Sequence, residues 1–269
     1  MLFNKLGRIV PTAKCRVFAK AERDFYRLNA PTVDYDMQHS KALKLGIVNC
    51  KSSLHEIESE FSKLLKGLKD NENYRNLTNG TYIPFVMSLP DLPVDIGAQL
   101  ENYLLPLLQK NFENEKTKSW FKAVLQGNNK LVSSLHVFPH TGYDLFIEGV
   151  STGTVIGLYF PTALQEYDIA SQRSQLTRLS GINGYEFCIS GHLEIIYSLL
   201  TYPNLLNNPT SYSPILCASA LEHDDQRMVP VFKSYGPHCE FWLLSQMMTT
   251  TQTQVSEQWS GGLTLFRKI

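Results

Sequence analysis

The 269-residue chain has no charge surplus: 25 Lys and Arg stand against 25 Asp and Glu. A general polyanion binder shows a basic excess, so nucleic acid is not expected as a partner. No apolar run approaches the ~18 residues of a membrane-spanning helix, and the start lacks the apolar core of a secretory leader. The first 21 residues are free of acids, as in a mitochondrial presequence, but they also lack Ser and are interrupted by Pro11. Glycine-rich phosphate cradles are missing too. The stretch "GVSTGTVIG" (149–157) lies within a β-rich region rather than between a strand and a helix, so no nucleotide or other cofactor is expected. No segment repeats at a period of about 20–50 residues, which removes solenoids and propellers.

Cysteine is sparse. Cys15, Cys50, Cys188, Cys217 and Cys239 are odd in number and widely spaced, unlike a secreted disulfide framework, so the expected location is cytoplasmic. A zinc site drawn from Cys188, His192, His223, His238 and Cys239 lacks a Cys-x-x-Cys knuckle. Adjacent His238 and Cys239 would also face opposite sides of a strand, so no metal is expected. "EHDDQ" (222–226) lacks the spacing of a calcium loop and reads as a solvated hairpin turn. The sequons at Asn76 and Asn79 read as a turn before a strand.

The hydrophobic pattern specifies an α+β fold. A helix-rich N-terminal half packs on a largely antiparallel sheet formed mainly by residues 130–269. One domain over 1–269 is expected, and "QGNNK" (126–130) is its only credible subdivision, into 1–127 and 128–269. Helices are predicted over 12–28, 54–68, from Asp95 through Leu108 with a kink at Pro106, over 118–126, from Thr162 to Leu179, and from Gly191 to Tyr202 before Pro203. Ser53-x-x-Glu56 is a capping box for the second of these. Residues 130–138, 143–150 and 154–160 read as a β-meander. "TYIPFVMSLP" reads as a strand that Pro84 confines to an edge or bulge. Strands are also predicted in "YEFCI", "SPILCASAL", "MVPVFKSY", "CEFWLLSQM" and "LTLFRKI".

Charge is distributed unevenly. Residues 1–30 hold seven basic groups against two acidic ones, so this arm is expected to dock on an acidic surface of the same protein or of a partner. Arg16, Phe18, Lys20, Arg23 and Arg27 are its candidate contacts.

The other candidate is Cys50, at the junction of an apolar strand with helix 54–68. A helix N-terminus and Lys51 would favour its thiolate, and His55 or His140 would be its base. Against this, a Cys closing an apolar strand acts as a small hydrophobe. A third, weaker reading is a small-molecule enzyme using the strand-to-helix elbow "CISGH" (188–192), which places Ser190 at a bend but lacks the Gly-x-Ser-x-Gly pattern. The expectation is a non-catalytic protein-binding adaptor, or a subunit of a larger protein assembly, docking partly through the basic arm. The alternative is a cysteine-dependent hydrolase or transferase built on Cys50 with His140 or His55.

Overall fold

The computed structural model describes residues 1–48, 53–114, 119–125, 130–246, 248–249, 252–253 and 255–269. In chain order its helices are α1 (Tyr35–Lys44), α2 (Leu54–Asp70), α3 (Ile96–Ala98), α4 (Leu105–Asn114), α5 (Tyr143–Thr152), α6 (Ile169–Ser174) and α7 (His192–Thr201). The strands are β1 (Ile83–Met87), β2 (Trp120–Val124), β3 (Leu135–Val137), β4 (Val155–Gln165), β5 (Glu186–Ile189), β6 (Ile215–Cys217), β7 (Leu221–His223), β8 (Met228–Tyr235), β9 (His238–Ser245), β10 (Met248–Thr249), β11 (Gln252–Thr253) and β12 (Trp259–Lys268). The fold is α+β. Among the described residues, no helix is long and apolar enough to cross a membrane.

Eight strands form one mixed sheet in the order β1-β4-β12-β6-β8-β9-β2, with β5 paired to β12 as well. Strand β12 is its organiser. One edge runs antiparallel to β4. The other edge is shared: Trp259–Gly261 pairs in parallel with β6 and Leu263–Phe266 antiparallel with β5. The main core includes Phe61, Phe85, Phe146, Leu199, Leu265 and other residues from nearly the whole chain, and a second, smaller cluster gathers Ile169, Ile215, Cys217, Val229, Val231 and Trp259.

Several elements follow directly from local chemistry. Ser53 and Glu56 form the expected capping box, with Ser53 N donating to Glu56 Oε2 at 2.8 Å and Glu56 N donating to Ser53 Oγ at 3.4 Å. Helix α2 buries Ile57, Phe61, Leu64 and Leu68 along one stripe. Asp95 caps α3, accepting from Ala98 N at 2.6 Å. Pro106 is accommodated by a π-helical stretch, Gln99–Leu104, in which Leu105 N donates to Leu100 O. The wider turn makes room for a ring that has no N–H to donate. Among the described residues, strand β1, carrying Pro84, is an edge strand paired only with β4.

Four sequence expectations are corrected. Residues 12–28 are not helical. They run as an irregular strap with a short turn at Ala19–Ala21, whose three residues have φ of 47°, 61° and 57°. Within the helix expected over 118–126, Trp120–Val124 is instead strand β2, paired in parallel with β9. Residues 143–150 are helical, and their buried positions Tyr143, Phe146, Gly149 and Val150 show the helical period that two alternating pairs had disguised. There is consequently no meander: β3 pairs with β7. The helix expected from Thr162 begins only at Ile169, because β4 continues to Gln165 against β12.

Phe61 is 2% exposed and stacks on Tyr35 with ring centroids 5.2 Å apart. Phe61→Ala should therefore destabilise the protein by about 3–5 kcal/mol in urea unfolding. An unchanged midpoint would place the α2 stripe outside the core.

Candidate functional site

Cys50 and Lys51 lie outside the described residues. His55 sits on the first turn of α2, and His140 on a turn before α5 with φ of 62°; both are exposed. Of the described cysteines, Cys188, Cys217 and Cys239 are buried. Burial pushes the Cys188 thiol well up, raises Cys217 to about 12 and raises Cys239 as well. Cys15 differs. Partial burial raises it, but hydrogen bonds from Thr12 and Gln175 outweigh this, together with the Arg178 charge, and leave the thiol below its ordinary value. Both partner atoms lie 3.2 Å from Sγ. Iodoacetamide at pH 7.5 should therefore modify Cys15 well before Cys188, Cys217 and Cys239 in peptide mapping of the native protein. Comparable labelling of the buried three would contradict this placement.

The richest cluster of chemical groups lies at the strand-to-helix elbow. Strand β5 ends at Ile189 and α7 begins at His192, so Ser190 does sit at the bend. Every residue of α7 is buried, and its first-turn N–H groups need partners inside the protein. Tyr143 Oη accepts from Leu193 N at 3.1 Å, and Glu194 Oε2 accepts from Gly191 N at 3.3 Å. Glu194 Oε1 accepts from Thr264 Oγ1 at 2.6 Å, and Thr264 Oγ1 lies 2.8 Å from Ser190 Oγ. Gln99 Nε2 donates to Pro93 O at 2.6 Å, which turns Gln99 Oε1 towards His192 Nε2 at 3.0 Å. His192 thus donates from Nε2, and its Nδ1 faces the Tyr143 hydroxyl at 3.4 Å. Close approach requires glycine at position 191, where a Cβ would lie 2.2 Å from the Tyr143 ring.

Burial sets the protonation of this network. It raises Glu194 to about 7 and lowers His192 to about 3, while the Tyr143 phenol is pushed well up. Ser190, His192, Glu194 and Thr264 are each at most 1% exposed. A serine, a neutral imidazole and a carboxyl are gathered here, but none is presented to solvent, so the arrangement joins α7 to β5 and β12.

The two shifts give opposite pH dependences. Unfolded Glu194 loses its proton near 4.5, so its contribution is fully present below that pH and is lost as pH rises to about 7. Unfolded His192 gains a proton below 6.5, so its contribution is lost as pH falls from there towards 3. Between about 4.5 and 6.5 the two nearly cancel. Relative to wild type, Glu194→Gln should therefore lose stability on acidification in this window. His192→Gln should lose it on alkalinisation, each by about 1.4 kcal/mol per pH unit. Parallel chemical-denaturation curves for both variants across the window would refute the assignment.

The basic arm forms a second cluster. Arg8, only 3% exposed, donates through Nη1 to Glu166 Oε1 at 2.9 Å and through Nη2 to Gln165 Oε1 at 3.0 Å. It also donates to the carbonyl of Arg23, while Arg23 N donates to Glu166 Oε1 at 2.9 Å. Desolvation raises the Glu166 carboxyl even though Arg8 and the Arg23 N–H oppose the rise.

The five expected contact residues follow this path. Arg16 O accepts from Asp168 N at 3.1 Å, and Arg16 N donates to Ser171 Oγ at 2.8 Å. Phe18 N donates to Glu166 O at 2.9 Å, and the Arg23 guanidinium lies 4.8 Å from the Phe18 ring centroid. Arg23 pairs with Glu257 at 3.3 Å and Arg27 with Asp24 at 2.8 Å. Lys20 is exposed on the left-handed turn. Arg8 and Arg23 thus meet acids elsewhere in the chain, Glu166 and Glu257, while Arg27 pairs within the arm.

Beyond this clasp the arm borders a cleft of about 730 Å3 lined by Tyr26, Tyr212, Tyr235, Asn208, Ser211, Gln258 and neighbours, none of them Lys, Arg, His, Asp or Glu. Tyr26 bridges to Tyr212, and Arg27 N donates to Tyr212 O at 2.8 Å. Phe25, at the same place, is 53% exposed, Tyr212 68% and Tyr235 61%. The sequence pattern places Phe25 within the helix expected over 12–28 and gives Tyr212 and Tyr235 no role. The available signal was tyrosine inside the turn-rich segment "NNPTSYSP" (207–214), where nothing apolar on either side would bury it. No family model, no curated protein and no solved structure matches this chain.

Proposed function

We propose that the protein is a non-catalytic binding module, an adaptor or subunit of a larger cytoplasmic protein assembly. Its partner surface is the cleft that the strap forms with the loop after α7. The reading rests on one observation: Phe25, Tyr26 and Tyr212 form a ring cluster with centroids 5.1–6.4 Å apart at a largely exposed, uncharged cleft. Aromatic side chains give much contact area for little conformational entropy, and they dominate the energetic centres of protein interfaces. Arg23 and Arg27 flank the cluster with more than half of each side chain exposed, which suits the polar rim of such a surface.

Removing the whole arm is a poor test, because Phe3, Ile9 and Ala21 are fully buried and a truncation would damage the core. Tyr212→Ser changes an exposed ring. Co-purification of associated proteins with Tyr212→Ser should fall about tenfold against wild type, with the melting temperature nearly unchanged. Undiminished recovery would remove the support for this surface.

A further inference from the structure

We infer that the cleft takes a proline-rich, extended segment of a partner protein, held by ring stacking and by phenol hydrogen bonds to its carbonyl groups. The inference rests on the binding-module reading and adds the chemistry of the ligand. The residues that line the cleft carry no charge at neutral pH, and the cations beside it are engaged: Arg23 and Arg27 pair with Glu257 and Asp24, and buried Lys233 donates to Tyr235 Oη and lies over the Trp242 ring, so the cleft favours an uncharged ligand. The remaining choice is among uncharged ligands, and the hydrogen-bonding state of each lining group decides it.

Most of the polar groups are already used. Asn208 Nδ2 donates to Arg27 O at 3.4 Å and Leu28 O at 3.1 Å. Thr210 Oγ1 donates to Asn208 Oδ1 at 3.0 Å, and Ser234 Oγ donates to Gly236 O at 2.7 Å. Ser213 Oγ donates to Leu206 O at 2.5 Å, and Gln258 Nε2 donates to Ser213 O at 3.3 Å. What remains is chiefly phenolic. Lys233 Nζ donates to Tyr235 Oη at 3.0 Å. An ammonium has only donors, so the Tyr235 oxygen is the acceptor and its own proton is left to donate. Among the described residues Tyr26 and Tyr212 have no side-chain hydrogen bond, and Ser211 Oγ is without a partner.

The cleft therefore offers flat apolar rings and O–H donors, with few free acceptors. A proline-rich segment presents the complement: apolar pyrrolidine rings, solvated carbonyl acceptors and few N–H groups, in an extended helix that loses little entropy on binding. A saccharide also stacks on aromatic rings, but its many hydroxyls are donors as well as acceptors. They call for several carboxylates or free amides; this lining has no carboxylate, Asn208 is spent, and Gln258 is the one amide with an oxygen left open among the described residues.

The test is titration of the full-length, 15N-labelled protein with a deca-proline peptide, followed by backbone amide shifts. A Gly-Ser peptide of equal length and maltohexaose are run alongside. Saturable shifts at Tyr212, Gly236 and Gln258 with deca-proline alone are expected. Binding should weaken about tenfold in Tyr212→Ser and about fivefold in Tyr235→Phe, which keeps the ring and removes the donor. No saturable shift at these residues up to about 5 mM peptide, or shifts given by maltohexaose instead, would overturn the inference. Equal affinity of Tyr235→Phe and wild type would overturn the carbonyl-donor part. If deca-proline fails while Tyr212→Ser still loses its associated proteins, the ligand class is wrong and the binding surface stands. If both fail, the surface itself is wrong.

Discussion

The buried N-terminus of α7 is the constraint on which this architecture depends. A helix enclosed on all sides has no water for its first amides, so each must find a partner among surrounding elements. Here Tyr143 of α5, Glu194 of α7 itself, Thr264 of β12 and Gln99 of the π-helical stretch converge on one turn. Each of these elements is thereby fixed relative to the same few atoms. That explains the placement of otherwise costly groups. A carboxyl and an imidazole at 1% and 0% exposure persist because both are neutral at the pH where the network is intact, and because their hydrogen bonds are directional where apolar packing is not. The same enclosure withdraws Ser190 and His192 from solvent.

The strap obeys a different logic. Arg8 and Glu166 are buried together, and such a pair offsets its desolvation only when the remaining donors and acceptors are satisfied. The backbone meets this need in part, for Glu166 Oε2 stays buried without a hydrogen-bond partner. Arg23 supplies both a carbonyl to Arg8 and an N–H to Glu166, and to do so the chain turns sharply through Ala19–Ala21. Three consecutive left-handed residues are unfavourable for L-amino acids, so the strap accepts local strain in making these two hydrogen bonds to the pair. Glu166 shares this feature, with φ of 73°. The clasp then determines where Phe25 and Tyr26 emerge.

The legible part of the sequence was the part governed by local chemistry. The capping box at Ser53, the Asp95 cap, the apolar stripe from Ile57 to Leu68 and the Pro203 stop involve residues within one or two turns, and all are present in the structure. The misread elements are those whose partners are distant. Val17, Ala21, Phe25 and Leu28 have helical spacing, yet the amides of this segment bond to Glu166, Tyr212 and Leu205 carbonyls, and tertiary pairing overrides periodicity. Residues 162–165 carry a plausible helix start, but β12 offers Leu164 and Gln165 a ladder to join. The site was legible only in outline. Charge asymmetry indicated that the arm docks, yet the acid it meets is 158 residues from Arg8, and no spacing rule reaches that far.

The two clusters divide the work in a way the composition alone conceals. Four ionisable groups of unusual character, Glu194, His192, Cys188 and Glu166, are interior, whereas Cys15 is only partly buried. The cleft at the surface is lined by uncharged groups, most of whose hydrogen bonds hold the loop rather than face solvent. Because Tyr26 follows directly from the Arg23 clasp and Tyr212 is bridged to it, the aromatic surface is held by the buried ion pair. The charges of the arm therefore help to position the aromatic surface, which reconciles a strongly basic N-terminus with a cleft whose lining carries no charge.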